Sequence, residues 1–215
     1  MRIPTTIIND MFRYPDEIVK MSESDKIEWG KQGVHPGLRS QALHEVYPEI
    51  VDFILSTIFS QYYDSQYVLE NIRVGDVSSH FQRIDTSEND GIIHGDNNDI
   101  TSIIYLSKDV NCGTSVYKQK NNFIEQKHVQ DSRVGVFENG GFDAKWDNAR
   151  IEHNSKYDKV ISCSGNYNDM LVFNGYHPHK MDMDREVGGE RLTLITFIDT
   201  IHSVDIGMRR EKFLL

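Results

Sequence analysis

His94, Asp96 and His179 are the residues of this chain whose types and spacing could hold a metal ion. His94 and Asp96 flank Gly95. On an extended strand, side chains two apart share a face, with their Cα atoms about 6–7 Å apart, so both can reach one ion. His179 lies 83 residues beyond Asp96 and opens the run His179-Lys180-Met181-Asp182-Met183-Asp184, which alternates the histidine and methionines against charged residues. Two histidines and one carboxylate on one face of Fe(II) leave three coordination positions open, enough for a bidentate organic co-substrate and O2. Twelve residues after His179, Arg191 heads a second alternating run that sets Arg191, Thr193, Ile195 and Phe197 on one face. A guanidinium on an apolar strand face needs an anion, and a carboxylate met in bidentate fashion suits its planar fork.

Each of these residues also has a plainer role open to it. A His-x-Asp arises by chance in surface turns, and Asn97-Asn98-Asp99 after Asp96 is such a turn, which puts Asp96 at a strand end. A histidine on an apolar face is commonly a satisfied core residue, and Arg191 has 33 acidic residues from which to draw a structural salt bridge. Tyr105 shares a strand face with Thr101 and Ile103 and could be core filler. His177 competes with His179 for the distal position, since both lie on one strand face if the strand reaches back that far. His177 adjoins the turn residues Asn174-Gly175 and precedes Pro178, so His179 is the expected ligand. Zinc accepts the same set with one open site, which would make a metallohydrolase. A non-catalytic, cupin-like β-sandwich binding module would leave His94 and Asp96 as surface polar residues.

The elements that must position these residues follow from periodicity. A short helix is expected from Asp16 to Met21, entered through Pro15. A stronger one runs from Pro48 to Tyr63, where Val51, Ile54, Leu55, Ile58, Phe59 and Tyr62 recur at helical spacing. Beyond it the pattern turns to strands: Gln66–Val74, His80–Ile84, Ile92–Asp96, Ile100–Ser107, Thr114–Tyr117, Met170–Phe173, Pro178–Met183 and Arg191–Asp199. Residues 118–168 read as polar and irregular, with a short helix near Ile124–Val129 and with Trp146, Tyr157 and Tyr167 as recognition residues of a pocket-covering loop. Helices first and many strands afterwards predict an α+β, mainly β chain: an antiparallel β-sandwich braced by N-terminal helices. One domain over 1–215 is expected, with helical support over about 1–65, the core over about 66–200 and a tail over 201–215.

Composition excludes some partners. The formal charge is −10, with 33 acidic against 23 basic residues, which repels phosphate backbones and argues against nucleic acid. No apolar run approaches a membrane span and the N-terminus has no apolar leader. Two cysteines, Cys112 and Cys163, do not make a disulfide framework; reduced thiols and a cytoplasmic location are expected. The partner is then a small molecule or a peptide or protein substrate. Composition does not bear on oligomeric state.

These residues together resemble the 2-oxoglutarate- and Fe(II)-dependent dioxygenases, most closely their prolyl-4-hydroxylase-like branch. The resemblance is carried by His94-Gly95-Asp96, the strand Thr101-Ser-Ile-Ile-Tyr-Leu-Ser107, Gly113-Thr114, His179 and Arg191-Leu-Thr193. Tyr14-Pro15-Asp16 and His35-Pro-Gly-Leu-Arg39 resemble small bacterial and phage members. Ser107 stands where the family usually has Asn, Cys112 where a first Gly is common, and Thr193 where Ser is usual. The interval of twelve between His179 and Arg191 is slightly longer than usual, which a wider turn around Glu186–Glu190 would explain. The resemblance implies a double-stranded β-helix (jelly-roll) core braced by N-terminal helices, with Fe(II) on His94, Asp96 and His179. It implies 2-oxoglutarate held through its distal carboxylate by Arg191 with Tyr105 and Thr193, O2 as oxidant and ascorbate as accessory reductant. The activity implied is hydroxylation of an unactivated C–H of a prolyl residue, amino acid or small metabolite, with release of succinate and CO2. A carboxylate at Asp96 favours hydroxylation over the halogenation seen in relatives that lack it.

Overall fold

The computed structural model describes residues 4–31, 36–64, 68, 70–85, 91–108, 112–120, 144–182 and 189–203. Helix α1 spans Pro15–Ser22 and α2 spans Pro48–Ser60. Each opens with proline in its first turn, where the missing N–H costs nothing, and with acidic residues near the positive end of the helix dipole. The α2 stripe buries Ile50, Val51, Ile54, Ile58 and Phe59.

Seven antiparallel strands make the major sheet, in the order β1 (Thr6–Ile8), β9 (Met170–Phe173), β6 (Ile100–Tyr105), β11 (Glu190–Ile198), β5 (Val77–Asp85), β3 (Leu38–Ser40) and β2 (Trp29–Gly30). A minor sheet orders β10 (His179–Met181), β7 (Thr114–Gln119) and β8 (Tyr157–Cys163). A separate ladder pairs β12 (Ile201–Ser203) with β4 (Ile72–Val74). A large and a small antiparallel sheet give the jelly-roll, mainly β architecture, with α1 and α2 packed against one face of the major sheet.

Strand alternation sorts the major sheet into two faces. Leu192, Leu194 and Ile198 of β11, Ile100 and Ile104 of β6, and Met170 and Val172 of β9 join Phe81 and the α2 stripe in the main core. The opposite positions, Ile195, Ile103, Tyr105, Leu171 and Phe173, form a second cluster with Cys163, and Phe197 packs against it. Arg191 and Thr193 share that second face by register. A one-residue slip would exchange the two faces, so the apolar pattern fixes which side receives the arginine.

Several elements differ from the sequence expectation. In the stretch read as a strand from Gln66, residues 68, 70 and 71 are helical and only Ile72–Val74 is extended; a short apolar run fits either state. Ile92–Asp96 is not a strand but a loop with one bridge, His94 to His179. Within 118–168, helix α3 (Ala144–Asn154) and strand β8 replace irregular chain. A search for apolar periodicity misses α3, because its buried side chains include Arg150 and His153. Tyr157 is a buried residue of β8, and Tyr167 bonds Asp16, so neither lines the pocket described below. The expected helix near Ile124–Val129 lies outside the described residues, as does most of the 201–215 tail. Among the described residues no helix is long and apolar enough to cross a membrane. Cys112 and Cys163 are free thiols, both buried.

Candidate metal centre and its pocket

One ligand atom each from His94, Asp96 and His179 lies within 4.8 Å of the others. His179 Nε2 stands 3.3 Å from Asp96 Oδ2, and His94 Nε2 stands 3.7 Å from Asp96 Oδ1. The two rings are 4.5 Å apart between centroids. Both histidines are oriented in the same way. His94 Nδ1 lies 2.9 Å from the Ile92 carbonyl, and His179 Nδ1 lies 2.9 Å from the His177 carbonyl. A carbonyl only accepts, so each Nδ1 carries a proton and each ring turns its Nε2 toward the shared point.

The backbone fixes that convergence. His94 and His179 bond each other through N–H and C=O in both directions, at 3.0 and 2.8 Å. Asp96 N donates to the Gly175 carbonyl at 2.6 Å. Gly175 must lack a side chain, since a Cβ there would come within 2.5 Å of the Asn98 carbonyl oxygen. The Asp96 carboxylate accepts from Thr101 Oγ1 at 2.9 Å, and that hydroxyl accepts from Asn98 Nδ2 at 2.9 Å. Burial by itself would raise the Asp96 pKa. The hydrogen bond and charge of His179, the charge of His94 and the Thr101 bond outweigh it and hold the carboxyl well below the usual range.

Helix α3 braces the His94 loop from behind. His153 Nε2 donates to the Ile93 carbonyl at 2.8 Å, and the Ile93 N–H donates to Asn154 Oδ1 at 2.9 Å. Sequence reasoning missed His153, Asn154 and the Thr101–Asn98 pair as positioning residues. Thr101 was legible only as an inward-facing polar position on an apolar strand.

The three residues open on a cavity of about 100 Å³ between the two sheets. Arg191 lines it and is buried, with Nε donating to the Cys112 carbonyl at 3.0 Å and Nη2 reaching Thr114 Oγ1 at 3.5 Å. No carboxylate pairs with Arg191 among the described residues. Burial pulls its pKa down from the ordinary value, against the opposing influence of Tyr105 and Cys112. The guanidinium sits 5.4 Å from the centre of the Tyr105 ring. The Tyr105 hydroxyl is buried near Thr114 and Cys163 yet makes no well-aligned hydrogen bond among the described residues. Burial pushes its pKa up, so it is a protonated donor. Thr193, directly across from Tyr105 in register, also has an unpartnered buried hydroxyl. Ser107 clamps the Arg191 backbone: its Oγ accepts from Leu192 N at 2.6 Å and donates to the Glu190 carbonyl at 3.2 Å. His177, by contrast, is exposed and borders a separate surface hollow with Tyr117 and Pro178.

A family model covers almost all of these elements. It matches residues 1–198 and is described as a family of unknown function, DUF6445. The chain belongs to that family. No curated protein matches it in sequence. Solved structures match its fold at low identity. HygX from Streptomyces hygroscopicus, with nickel, 2-oxoglutarate and hygromycin B bound, is similar at TM-score 0.53 and 13% identity, covering 96% of this chain and 85% of that one. A prolyl hydroxylase from Trichoplax adhaerens, in complex with a hypoxia-inducible-factor oxygen degradation domain peptide fragment, is similar at 0.51 and 13%, covering 90% and 82%. The non-heme α-ketoglutarate-dependent epimerase SnoN of nogalamycin biosynthesis is similar at 0.50 and 11%, covering 96% and 83%. At these identities what is shared is the fold, that of 2-oxoglutarate- and iron-dependent oxygenases.

Proposed function

We propose that this chain is a 2-oxoglutarate- and Fe(II)-dependent dioxygenase of the prolyl-4-hydroxylase-like type. It would hydroxylate an unactivated C–H of a prolyl residue, an amino acid or a small metabolite. The observation that carries this reading is one cavity with a His-Asp-His cluster and a buried arginine beside an unpartnered tyrosine hydroxyl. The donor set fits Fe(II): two imidazole nitrogens and one carboxylate, with room for three further ligands. These donors fit an incoming anion, because a buried guanidinium without a carboxylate and a buried phenol without an acceptor are costly.

In this reading His94, Asp96 and His179 hold the metal, and Arg191, with Tyr105 and Thr193, receives the distal carboxylate of the co-substrate. Bound iron with 2-oxoglutarate and O2 supplies the oxidation, leaving succinate and CO2 and placing one oxygen atom in the substrate C–H bond. Thr101 holds the Asp96 carboxylate at one angle, and the Nδ1–carbonyl bonds hold both imidazoles. Ile103, Ile195 and Phe197 give the cavity an apolar lining, which would disfavour water there. Ascorbate would serve as an external reductant.

A zinc hydrolase would give Arg191 and Tyr105 no anion to meet, and a binding module would not need three oriented donors. The deciding experiment is anaerobic titration of the protein with Fe(II) and 2-oxoglutarate, followed by admission of O2 with candidate peptides and amino acids. Metal-dependent co-substrate binding and succinate release are expected. Zinc-supported hydrolysis without succinate, or no metal uptake at all, would overturn the assignment.

A further inference from the structure

A second buried arginine faces the same cavity from another side. Arg39 of β3 lies opposite Gln82 of β5, Gln82 opposite Thr193 of β11, and Thr193 opposite Tyr105 of β6. The row Arg39–Gln82–Thr193–Tyr105 thus crosses four strands, which puts Arg39 about 14 Å from Tyr105 at strand spacing. Its side chain leans along the sheet, with the guanidinium 5.2 Å from the centre of the Phe197 ring. Phe197 is in register with Thr101, the residue bonded to Asp96. Arg39 therefore leans toward the metal end of the cavity, whereas the Arg191 guanidinium rests over Tyr105, four residues or about 13 Å further along β6 from Thr101. One small carboxylate cannot engage both.

Charge points the same way. The chain as a whole is strongly acidic, yet the described residues that line the cavity include Arg39, Lys180 and Arg191 against Asp96 as the sole carboxylate. Arg39 is only 8% exposed, so solvent screens little of its charge.

We infer that Arg39 anchors the primary substrate, and that this substrate carries a carboxylate separate from the one met by Arg191. The inference rests on the oxygenase reading above and narrows its substrate class to small carboxylic acids. A peptide would have to present an acidic side chain or its C-terminus.

The test uses the full chain loaded with Ni(II) and 2-oxoglutarate, so that binding is read by calorimetry without turnover. The probes are N-acetyl-L-proline and butyrate, their uncharged amides, and inorganic phosphate. At least one acid should bind, with its amide about tenfold weaker or worse, since a charge-assisted bidentate pair is lost. Arg39→Gln should abolish that preference while 2-oxoglutarate affinity stays within about twofold. Arg39→Lys keeps the charge and the packing on Phe197, guards against a folding artefact and should bind the acid with intermediate strength. Equal binding of acid and amide, binding of phosphate alone, no acid binding to the loaded parent, or loss of 2-oxoglutarate affinity in step with acid affinity in Arg39→Gln would each overturn the assignment. Failure of the parent to take up Ni(II) and 2-oxoglutarate is a separate result, which would remove the oxygenase reading itself and this inference with it.

Discussion

His94 and His179 hold each other through a reciprocal pair of backbone hydrogen bonds, 3.0 Å one way and 2.8 Å the other, although neither neighbour of His94 belongs to a strand. A hydrogen-bonded antiparallel pair sets its Cα atoms about 5.5 Å apart, so main chain, more than side-chain freedom, fixes how far apart the two imidazoles start. The His94 loop is consequently an appendage of β10.

That coupling separates His179 from its neighbour. His179→Ala or His94→Ala should lose Fe(II) or Co(II) retention on dialysis, read by metal analysis. His177→Ala should retain it, because the His177 ring is exposed and only its backbone carbonyl touches the cluster. Retention by His179→Ala together with loss in His177→Ala would move the ligand by two residues.

Thr101→Val should weaken metal binding about 10- to 100-fold, the usual effect of losing a group that orients a ligand. The substitution nearly keeps the side-chain volume but removes the hydroxyl that links Asn98 to Asp96. Metal affinity unchanged in a folded Thr101→Val protein would show that the backbone alone sets the carboxylate angle.

Much of this arrangement was legible in the chain. The alternation of β11 and β6 placed Arg191, Thr193 and Tyr105 on one face, since period-two patterning of Leu and Ile against polar residues is strong in buried strands. What stayed hidden rests on polar burial. His153 and Arg150 are the buried face of α3, and no hydrophobic pattern announces a helix of that kind. Asp96 was expected on a strand beside His94, yet it sits in a loop held by Gly175, Asn98 and Thr101, three contacts set by tertiary approach. Arg39 stood within a stretch noted only for resemblance, because β3 is three residues long and too short to show a period.

Arg191→Met should raise the dissociation constant for 2-oxoglutarate about tenfold or more, since a buried charge-assisted pair contributes about 1.5–3 kcal/mol. Methionine keeps the stem volume, so the fold should survive. Tyr105→Phe should cost less, one hydrogen bond with the ring retained. Calorimetric binding equal to the parent in Arg191→Met would make the arginine structural.

His80 gives a pH signature in the metal-free protein. Burial lowers its pKa, with the Ser40 carbonyl at Nδ1 opposing and Arg39 and His44 adding to the shift. A folded pKa below the unfolded value of about 6.5 means the unfolded chain takes up the proton first, so stability is full above that pH and declines as pH falls through it. Denaturant midpoints measured from pH 7.5 down to 5 should decline less in His80→Gln than in the parent. Parallel slopes would remove His80 from the acid response.

The brace behind the site should matter as much as the site. His153 is 2% exposed and its Nε2 donates to the Ile93 carbonyl, one residue before His94. His153→Ala strands that carbonyl without a donor and opens a void, a loss of about 2–4 kcal/mol. His153→Gln can still reach the carbonyl and should recover part of it. Because the same bond holds the His94 loop, metal affinity should fall in His153→Ala and rise again in His153→Gln, in the order of the thermal midpoints. A His153→Ala protein that melts lower yet binds metal as the parent does would show that the His179 bridge alone keeps His94 in place.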